Sequence, residues 1–151
     1  MVIPLLLAAL LAAAPDADRT ARIVAAPDSP VRLDSAKVLN TGAQPLVLLY
    51  AATNTSGTPV DQFTVMVFVF GADGRLKARQ VAPARHELKV GETKYSAMVL
   101  DVGTIDPTDT LMAGVDQAQQ VGSDAWWRAD LRSIAERLAE PQPAPSSGRR
   151  P

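Results

Sequence analysis

The residues that could carry out chemistry are few and scattered. The chain has 151 residues, with a single histidine, His86, and no cysteine. A Ser-His-acid triad would have to use His86, but no Gly-x-Ser-x-Gly motif accompanies it, and a lone histidine in the polar stretch PARHEL is typical of a solvated loop. A zinc site needs several histidine, cysteine or carboxylate ligands, which one histidine does not supply. We therefore predict that the protein is not an enzyme, with no catalytic residue and no zinc ion.

Oxygen ligands suited to calcium are concentrated in one stretch. Asp106, Thr108 and Asp109 lie in the sequence DPTDT, without the Asp-x-Asp-x-Asp-Gly spacing of an EF-hand loop. Asp-Pro followed by Thr and Asp is first of all a turn sequence, whose side chains bond to nearby backbone amides. Asp73 in GADG fits a hairpin loop in the same way. We predict turns at both places, and no metal and no cofactor.

Charge and composition narrow the classes of partner. A net charge of −1 and a pI of about 5.8 give no basic excess to neutralise phosphates, so a nucleic-acid partner is not predicted. No glycine-rich phosphate loop or dinucleotide fingerprint occurs. The chain is 47% apolar and 21% charged, a balance typical of a folded globular domain. The sequence therefore predicts one domain that needs neither disulfide nor metal to be stable.

Short strands are the elements that would position any site. Turn residues separate a series of β segments between residues 31 and 118. The predicted strands are residues 31–39, 46–53, 62–70, 75–81, 94–101 and 110–118. Several short strands at close spacing, with no helix between them, favour a single antiparallel β-sandwich or barrel.

One of these strands, QFTVMVFVF at residues 62–70, is apolar on both faces. Phe63, Val65, Val67 and Val69 point one way, and Met66, Phe68 and Phe70 point the other way. A strand with one face in water should instead alternate apolar with polar residues. Both faces therefore need cover, from this chain or from a partner.

The hydrophobic period changes to that of a helix near the C-terminus. An apolar stripe at intervals of four, three and four is formed by Trp127, Leu131, Ile134 and Leu138. Ser123 or Asp124 can cap the first turn, Asp124 and Arg128 are placed as an i,i+4 pair, and Glu140 precedes a proline that ends the helix. We predict a helix over residues 124–140 within a C-terminal segment 119–140. Packed on strand 62–70, its stripe would cover the second apolar face; the alternative is a partner protein on that face.

Three further aromatic residues lie in the predicted helix and in the predicted strands. Trp126 lies well off the stripe of the predicted helix, nearer to polar positions. It either wedges against a strand end or loop, or faces outward as a contact for a sugar, peptide or protein. Tyr50 and Tyr95 are expected to pack across strands with their hydroxyls at the rim.

The ends of the chain are predicted to lie outside the domain. The apolar run from Val2 to Ala14 is too short to span a membrane and resembles the core of a secretory signal, so residues 1–17 are predicted as a signal peptide. A buried N-terminal helix or strand is the alternative. Residues 18–30 are predicted as a linker with at most a short strand at residues 22–25. The proline-rich residues 141–151 are predicted as a disordered tail.

Three stretches of the middle segment carry a family resemblance. They are ATNTSGTPVDQ at residues 52–62, VFVFGADGRL at 67–76 and LKVGETKY at 88–95. Residues 46–101 resemble the FxLYD-type domain of secreted bacterial proteins in its strand-ending turn, its signature hairpin and its Gly-Glu-Thr turn. Val67 stands where phenylalanine is usual, and Gly71 replaces the expected aspartate. The resemblance implies an immunoglobulin-like sandwich and export, and it transfers no catalytic site. In a bacterial protein, Asn54-Thr55-Ser56 is expected to be a turn rather than a glycosylation site.

Together these features predict an immunoglobulin-like antiparallel β-sandwich over residues 31–118 with a C-terminal amphipathic helix. The expected function is that of a non-enzymatic exported module, periplasmic or extracellular, with no membrane span in the mature chain. It would act through its surface, in contact with another envelope protein or in envelope structure. The alternative is a small-ligand or glycan binder that uses Trp126 and the strand-connecting loops. A hydrolase ranks last because the chain lacks the residues for one.

Overall fold

The computed structural model describes residues 18–40 and 45–141, which form a mainly β fold of two sheets with one short C-terminal helix. The strands are β1 (Arg19–Thr20), β2 (Arg22–Ile23), β3 (Val31–Leu39), β4 (Leu46–Asn54), β5 (Val60–Phe70), β6 (Leu76–Val81), β7 (Arg85–Leu88), β8 (Thr93–Leu100), β9 (Thr110–Gln120) and β10 (Trp126–Arg128). The helix is α1 (Leu131–Ala139). The predicted mainly β, sandwich-like class is therefore confirmed.

The strands divide into two sheets that the chain visits in turn. Sheet A has the order β1-β3-β4-β8, and sheet B has the order β10-β9-β5-β6, with β2 also paired to β9 and β7 to β5. All pairings are antiparallel except that of β2 with β9. The chain crosses between the sheets on each side of β2, and again between β4 and β5, between β7 and β8 and between β8 and β9.

The main core lies between the two sheets. Sheet A contributes Leu48 and Val38, which are buried against Val65, Val67 and other inward side chains of sheet B. Inward and outward residues alternate along each strand because successive side chains of a strand point to opposite faces. Each fully buried aliphatic side chain of this kind contributes about 1.5–3 kcal/mol before ordering costs.

The helix covers the outer face of sheet B, as strand 62–70 predicts. A second core, separate from the first, contains Phe68 and Phe70 of β5 together with Leu131 and Ala135 of α1. Met66 packs at its border. Both faces of β5 are thus buried within this chain, one by sheet A and the other by α1.

Close contacts fix the helix on the sheet. Gly114 of β9 lies directly beneath Leu131, and a Cβ atom added to it would lie 2.9 Å from Leu131 Cδ1 and 2.5 Å from the backbone oxygen of Val24. At the other end of α1, Arg22 Nη1 donates to the backbone oxygen of Leu138 at 3.3 Å. A cation near the last carbonyls of a helix also complements the helix dipole.

The predicted start of the helix at residue 124 is wrong. Residues Trp126–Arg128 form β10, which pairs with β9 and places Trp127 opposite Ala118 at the border of the main core. Burial of this large side chain against the sandwich favours the strand over the helical continuation of the stripe. The helix therefore begins at Leu131, and its cap is Asp130, whose carboxylate accepts the backbone N–H of Ser133 at 3.3 Å. It ends at Ala139 with Glu140 as its C-cap, one residue before the predicted end.

The predicted linker at residues 18–30 is also wrong, because this segment belongs to both sheets. Its first strand, β1, pairs with β3 of sheet A, and β2 pairs in parallel with β9 of sheet B. Ala21, between the two strands, is buried in the main core, and Val24 is buried in the second core. Two buried residues and two short pairings hold the segment in place, and β2 lies within the short strand predicted at residues 22–25.

Other predictions concern the ends of the chain. The predicted signal peptide at residues 1–17 lies outside the described residues, as does the predicted tail except for Pro141. Within residues 18–40 and 45–141, no helix has the length and apolarity required to cross a membrane.

Candidate functional site

The outer face of sheet A differs from that of sheet B because no element of the described chain covers it. We call this surface the open face. Its outward side chains are Ser35, Lys37 and Leu39 of β3, Val47, Leu49, Ala51 and Thr53 of β4, and Thr93, Tyr95, Ala97 and Val99 of β8. Most of them are apolar, whereas an outer face in water normally carries polar residues.

Strand pairing arranges these side chains in rows across the sheet. Tyr95 lies beside Ala51, and Val99 lies beside Val47. Tyr95 is 81% exposed, Val99 is 55% exposed, and Leu49, in the row between them, is 39% exposed. An exposed side chain of this kind is ordinary when isolated, but several on one continuous face indicate a contact surface. The sequence prediction that Tyr95 packs across strands is therefore wrong, whereas Tyr50 on the inner face is buried.

A hollow lies next to Tyr95 on the open face. It has a volume of about 350 Å³. Its lining consists of Ser35, Leu49, Tyr50, Tyr95, Ser96 and Ala97. Because alanine and serine stand beside a tyrosine and a leucine, the surface has both a projection and a depression. Such relief allows a partner surface to interlock with it.

The charged groups around the open face are paired with one another. Lys37 Nζ lies 2.9 Å from Asp18 Oδ2, and Arg32 Nε lies 2.7 Å from Asp34 Oδ1. The bond from Lys37 holds the pKa of Asp18 below its usual range. Burial alone would raise the pKa of Asp34, but bonds from Thr53 and Arg32 outweigh it and lower that pKa. Both carboxylates are therefore ionised at neutral pH, and each faces one cation.

The free edge of sheet A is tied to sheet B near both ends of β8. Gln80 Nε2 donates to the backbone oxygen of Val99 at 3.0 Å, and Gln80 Oε1 accepts the backbone N–H of Asp101 at 2.7 Å. Lys94 Nζ donates to the backbone oxygens of His86 and Glu87. The Gln80 side chain thus occupies backbone groups at the edge of β8 and opposes the addition of another strand there, whereas Lys94 bonds oxygens of β7.

Trp126 is placed on a different surface from the open face. It lies in β10 on the outer side of sheet B, opposite Gln119 and beyond the region that α1 covers. Its ring is partly buried, and the Arg128 guanidinium carbon lies 5.9 Å from the ring centroid. Gln119 is hydrogen-bonded to Gln62 at 3.0 Å. The ring therefore already has a cation over one face and a row of amide side chains beside it.

A carboxyl group with a raised pKa lies near this surface. Asp116 is the extra residue of a β-bulge in β9, opposite Thr64 and Val65. Burial raises its pKa, although the charges of Arg128 and Arg79 act in the opposite direction. The neutral form of Asp116 is therefore favoured in the fold compared with an exposed aspartate.

The acidic cluster in DPTDT stabilises a turn, as predicted. Lys77 Nζ lies 2.6 Å from Asp109 Oδ2 and 2.9 Å from Asp106 Oδ2, and the same Asp109 oxygen accepts the backbone N–H of Asp106. Thr108 is exposed. Burial alone would raise the pKa of Asp109, but the bonds from Lys77 and Asp106 lower it. The ammonium group of Lys77 therefore stands where a bound cation would have to sit.

The remaining predicted site residues do not come together. His86 is exposed, but it lies in the strand β7, so the predicted loop at this position is wrong. Asp73 Oδ1 accepts the backbone N–H of Arg75 in the hairpin loop at 3.0 Å. Asn54 is 1% exposed, and its amide donates to the backbone oxygens of Thr58 and Leu88. Asp73 and Asn54 thus stabilise turns, as predicted.

A second cavity lies where residues 23–29 cross between the sheets. Its volume is about 340 Å³. Its lining includes Ile23, Val31, Leu33 and Val115 with the nearby Asp28 and Arg32. Among the described residues, no group of three or more histidine, cysteine or acidic side chains could hold a metal ion. The open face is therefore the surface of the described chain that departs most from what packing alone explains.

The comparisons with known proteins add no relative. No protein-family model, no curated protein and no solved structure has a significant match to this chain.

Proposed function

We propose that the protein is a non-enzymatic interaction module that binds a protein partner through the open face. The observation that carries this proposal is the exposure of Tyr95, Leu49 and Val99 side by side on one sheet face. Removing such apolar surface from water is favourable by roughly 25 cal/mol per Å². Tyrosine is also enriched at interfaces, because its ring is apolar while its hydroxyl can bond at the rim.

An exported location and an immunoglobulin-like fold are part of the proposal. The apolar run from Val2 to Ala14 supports export. The fold is supported by the grouping of strands, because β3, β4 and β8 share one sheet while β5, β9 and β10 share the other. These correspond in chain order to the A-B-E and C-F-G strands of immunoglobulin domains. By analogy of fold, domains of this type commonly act by surface contact.

A matched pair of substitutions tests this function. Val99 on the open face is 55% exposed, and Val121, in the turn after β9, is 54% exposed. Val99→Lys and Val121→Lys therefore add the same charge to equally exposed valines. The wild-type chain and the two variants would be immobilised and incubated with an envelope extract, and the proteins they retain identified by mass spectrometry.

We expect the wild type and Val121→Lys to retain the same defined protein, either another envelope component or a further copy of this chain. Val99→Lys should lose it, because a lysine buried in an apolar contact must be desolvated. Retention of the same protein by Val99→Lys would contradict the proposed function. A thermal melt of each variant checks that both remain folded.

A second function is favoured by the surroundings of Trp126. Its ring lies next to the Gln62–Gln119 amide pair and to Arg128, and a ring with adjacent hydrogen-bonding groups can bind a sugar. If this surface binds glycans, Trp126→Ala should abolish retention on a glycan array without a change in melting temperature. Retention that Trp126→Ala leaves unchanged would exclude this function for the ring.

A further inference from the structure

We infer that the partner of the open face is a second copy of this chain, packed sheet to sheet about a two-fold axis. This inference rests on the proposed function, since it names the occupant of the same surface. In a two-fold interface, one patch must be complementary to itself in charge and in shape. The open face meets both requirements.

The charges around the open face permit two copies to approach. Lys37 is paired with Asp18, and Arg32 is paired with Asp34, so the charges of these pairs sum to zero. Lys94, at the start of β8, directs its ammonium group to backbone oxygens of β7 rather than across the face. A face with one sign of charge would repel its own copy and favour a partner of opposite sign. A face whose charges are paired internally favours an uncharged surface like itself.

The shape of the open face supplies both halves of an interlocking contact. Tyr95 projects, and the hollow of about 350 Å³ lies directly beside it. In a two-fold arrangement, Tyr95 of each copy can enter the hollow of the other. Ala97 and Ser35 line this hollow with small side chains and leave room for a ring. Aromatic side chains seated in a pocket are the usual centres of binding energy.

The edge of sheet A is a less suitable place for self-association than its face. Edge-to-edge pairing of two β8 strands would require free backbone groups along the edge. Gln80 already bonds the oxygen of Val99 and the N–H of Asp101. A second copy would have to displace this side chain, whereas nothing in the described chain has to move for the faces to meet.

The size of the open face sets the strength of the dimer. Three strands, β3, β4 and β8, at a spacing of about 4.8 Å and about eight residues at 3.3 Å each outline a surface on the order of 400 Å². Stable interfaces bury about 800 Å² on each partner. The dimer is therefore a weak one, which forms in the micromolar to millimolar range.

Sedimentation velocity of the full chain tests the inference over concentrations from about 10 µM to 1 mM. We expect a monomer that converts to a dimer as concentration rises. Tyr95→Lys and Val99→Lys should each weaken the dimer at least about tenfold, and Val121→Lys should leave it unchanged. Monomer at every concentration, or a dimer that both open-face variants leave intact, would overturn the inference.

The absence of cysteine gives a second readout that reports the geometry. Thr93→Cys, on the exposed margin of the open face and outside the hollow, should give, with a spin label, a distance within about 30 Å between the two copies, because packed sheets lie about 10 Å apart. The same label on Val121→Cys should give a much longer distance. A short distance only at residue 121 would overturn the sheet-to-sheet arrangement.

The outcomes separate this inference from the proposed function. A chain that remains monomeric but retains a different envelope protein, and loses it with Val99→Lys, contradicts the second copy and supports the interaction module. A chain that neither dimerises nor retains any protein through Val99 contradicts both. If residues 1–17 occupied the open face themselves, Tyr95→Lys would lower the stability of the monomer, which also contradicts the dimer.

Discussion

The two sheets present outer faces that are both apolar but have different cover. The outer face of sheet B carries large side chains such as Phe68 and Phe70, and α1 buries them completely. The outer face of sheet A carries Ala51 and Ala97 with a few larger residues, and Tyr95 stands 81% exposed. One face is therefore part of the interior, and the other is available for contact.

The outer faces of the two sheets also differ in how closely another element of the chain fits them. Under the helix, Gly114 leaves space that Leu131 fills, so the sheet and its cover are matched at the level of single atoms. On the open face, a hollow beside Tyr95 is unfilled by any described residue. Apolar residues on a strand therefore indicate that a face needs cover, and the close fit of Leu131 over Gly114 shows that α1 of the same chain supplies this cover for sheet B.

The largest effect is expected where the cover of sheet B is removed. Leu131→Ala should lower the free energy of unfolding by about 2–5 kcal/mol, because it leaves a cavity between α1 and β9. Urea unfolding measures this change. Arg132→Ala, on the exposed side of the same helix, is the control and should stay within about 0.5 kcal/mol. Equal effects of the two substitutions would contradict the proposed difference between the two outer faces, because they would mean that the helix does not pack on the sheet.

A smaller loss is expected from Gly114→Ala. The new methyl group would lie 2.5 Å from the backbone oxygen of Val24 and 2.9 Å from Leu131 Cδ1, so the backbone of residues 18–30 or the helix must shift. Overpacking of this kind costs about 1–3 kcal/mol. Gly57→Ala is the matched control, since no atom lies within 4 Å of its added Cβ. Thermal melts of the two variants should differ clearly, and equal melting temperatures would contradict the close contact.

A substitution of Asp116 tests whether the exclusion of water beside α1 extends to this carboxyl group of β9. Its neighbour Ala129, just before α1, donates its backbone N–H to the Asp116 backbone oxygen at 3.1 Å. Burial raises the pKa of Asp116 above 3.8, so its ionised form destabilises the fold at neutral pH. Asp116→Asn should therefore stabilise the protein at pH 7, by less than Gly114→Ala destabilises it. The gain should vanish as the pH falls through the raised pKa and below 3.8, because the wild-type group is then neutral in both states. A gain that persists in acid would mean that charge is not its cause.

The smallest effect on stability is expected on the open face. Tyr95→Ser should change the free energy of unfolding of the dilute monomer by no more than about 0.5 kcal/mol, because the ring is exposed. Tyr50→Ser, on the inner face of the same sheet, should cost several times as much, since that ring is buried. Chemical denaturation at low protein concentration gives both values. A large loss for Tyr95→Ser would show that another segment already covers it.

The sequence predicted the architecture best where a pattern ran for a long distance. The alternation of Val65, Val67 and Val69 with Phe68 and Phe70 specified a strand buried on both faces, and its cover by α1 is confirmed. Turn residues likewise identified the ends of most strands, since side chains such as Asp73 act within a few residues of their own position.

Elements that depend on distant pairing could not be predicted in the same way. Trp126–Arg128 continues a helical spacing, but its pairing with β9 and the burial of Trp127 decide its conformation. Residues 18–30 are too short in each run to show a period, and β2 is held by parallel pairing to a strand far along the chain. The exposure of Tyr95 also had no local signal, because β8 has apolar residues on both faces and only the fold determines which face is covered.

Hydroxyl-radical footprinting of the dilute chain tests most directly whether the two outer faces differ. Tyrosine and phenylalanine react readily with the radical when they are exposed, and mass spectrometry locates the oxidised residues. We predict rapid oxidation of Tyr95 and protection of Phe68, Phe70 and the buried Tyr50. Oxidation of Phe68 and Phe70 as fast as that of Tyr95 would contradict the account, because the helix would then not cover sheet B.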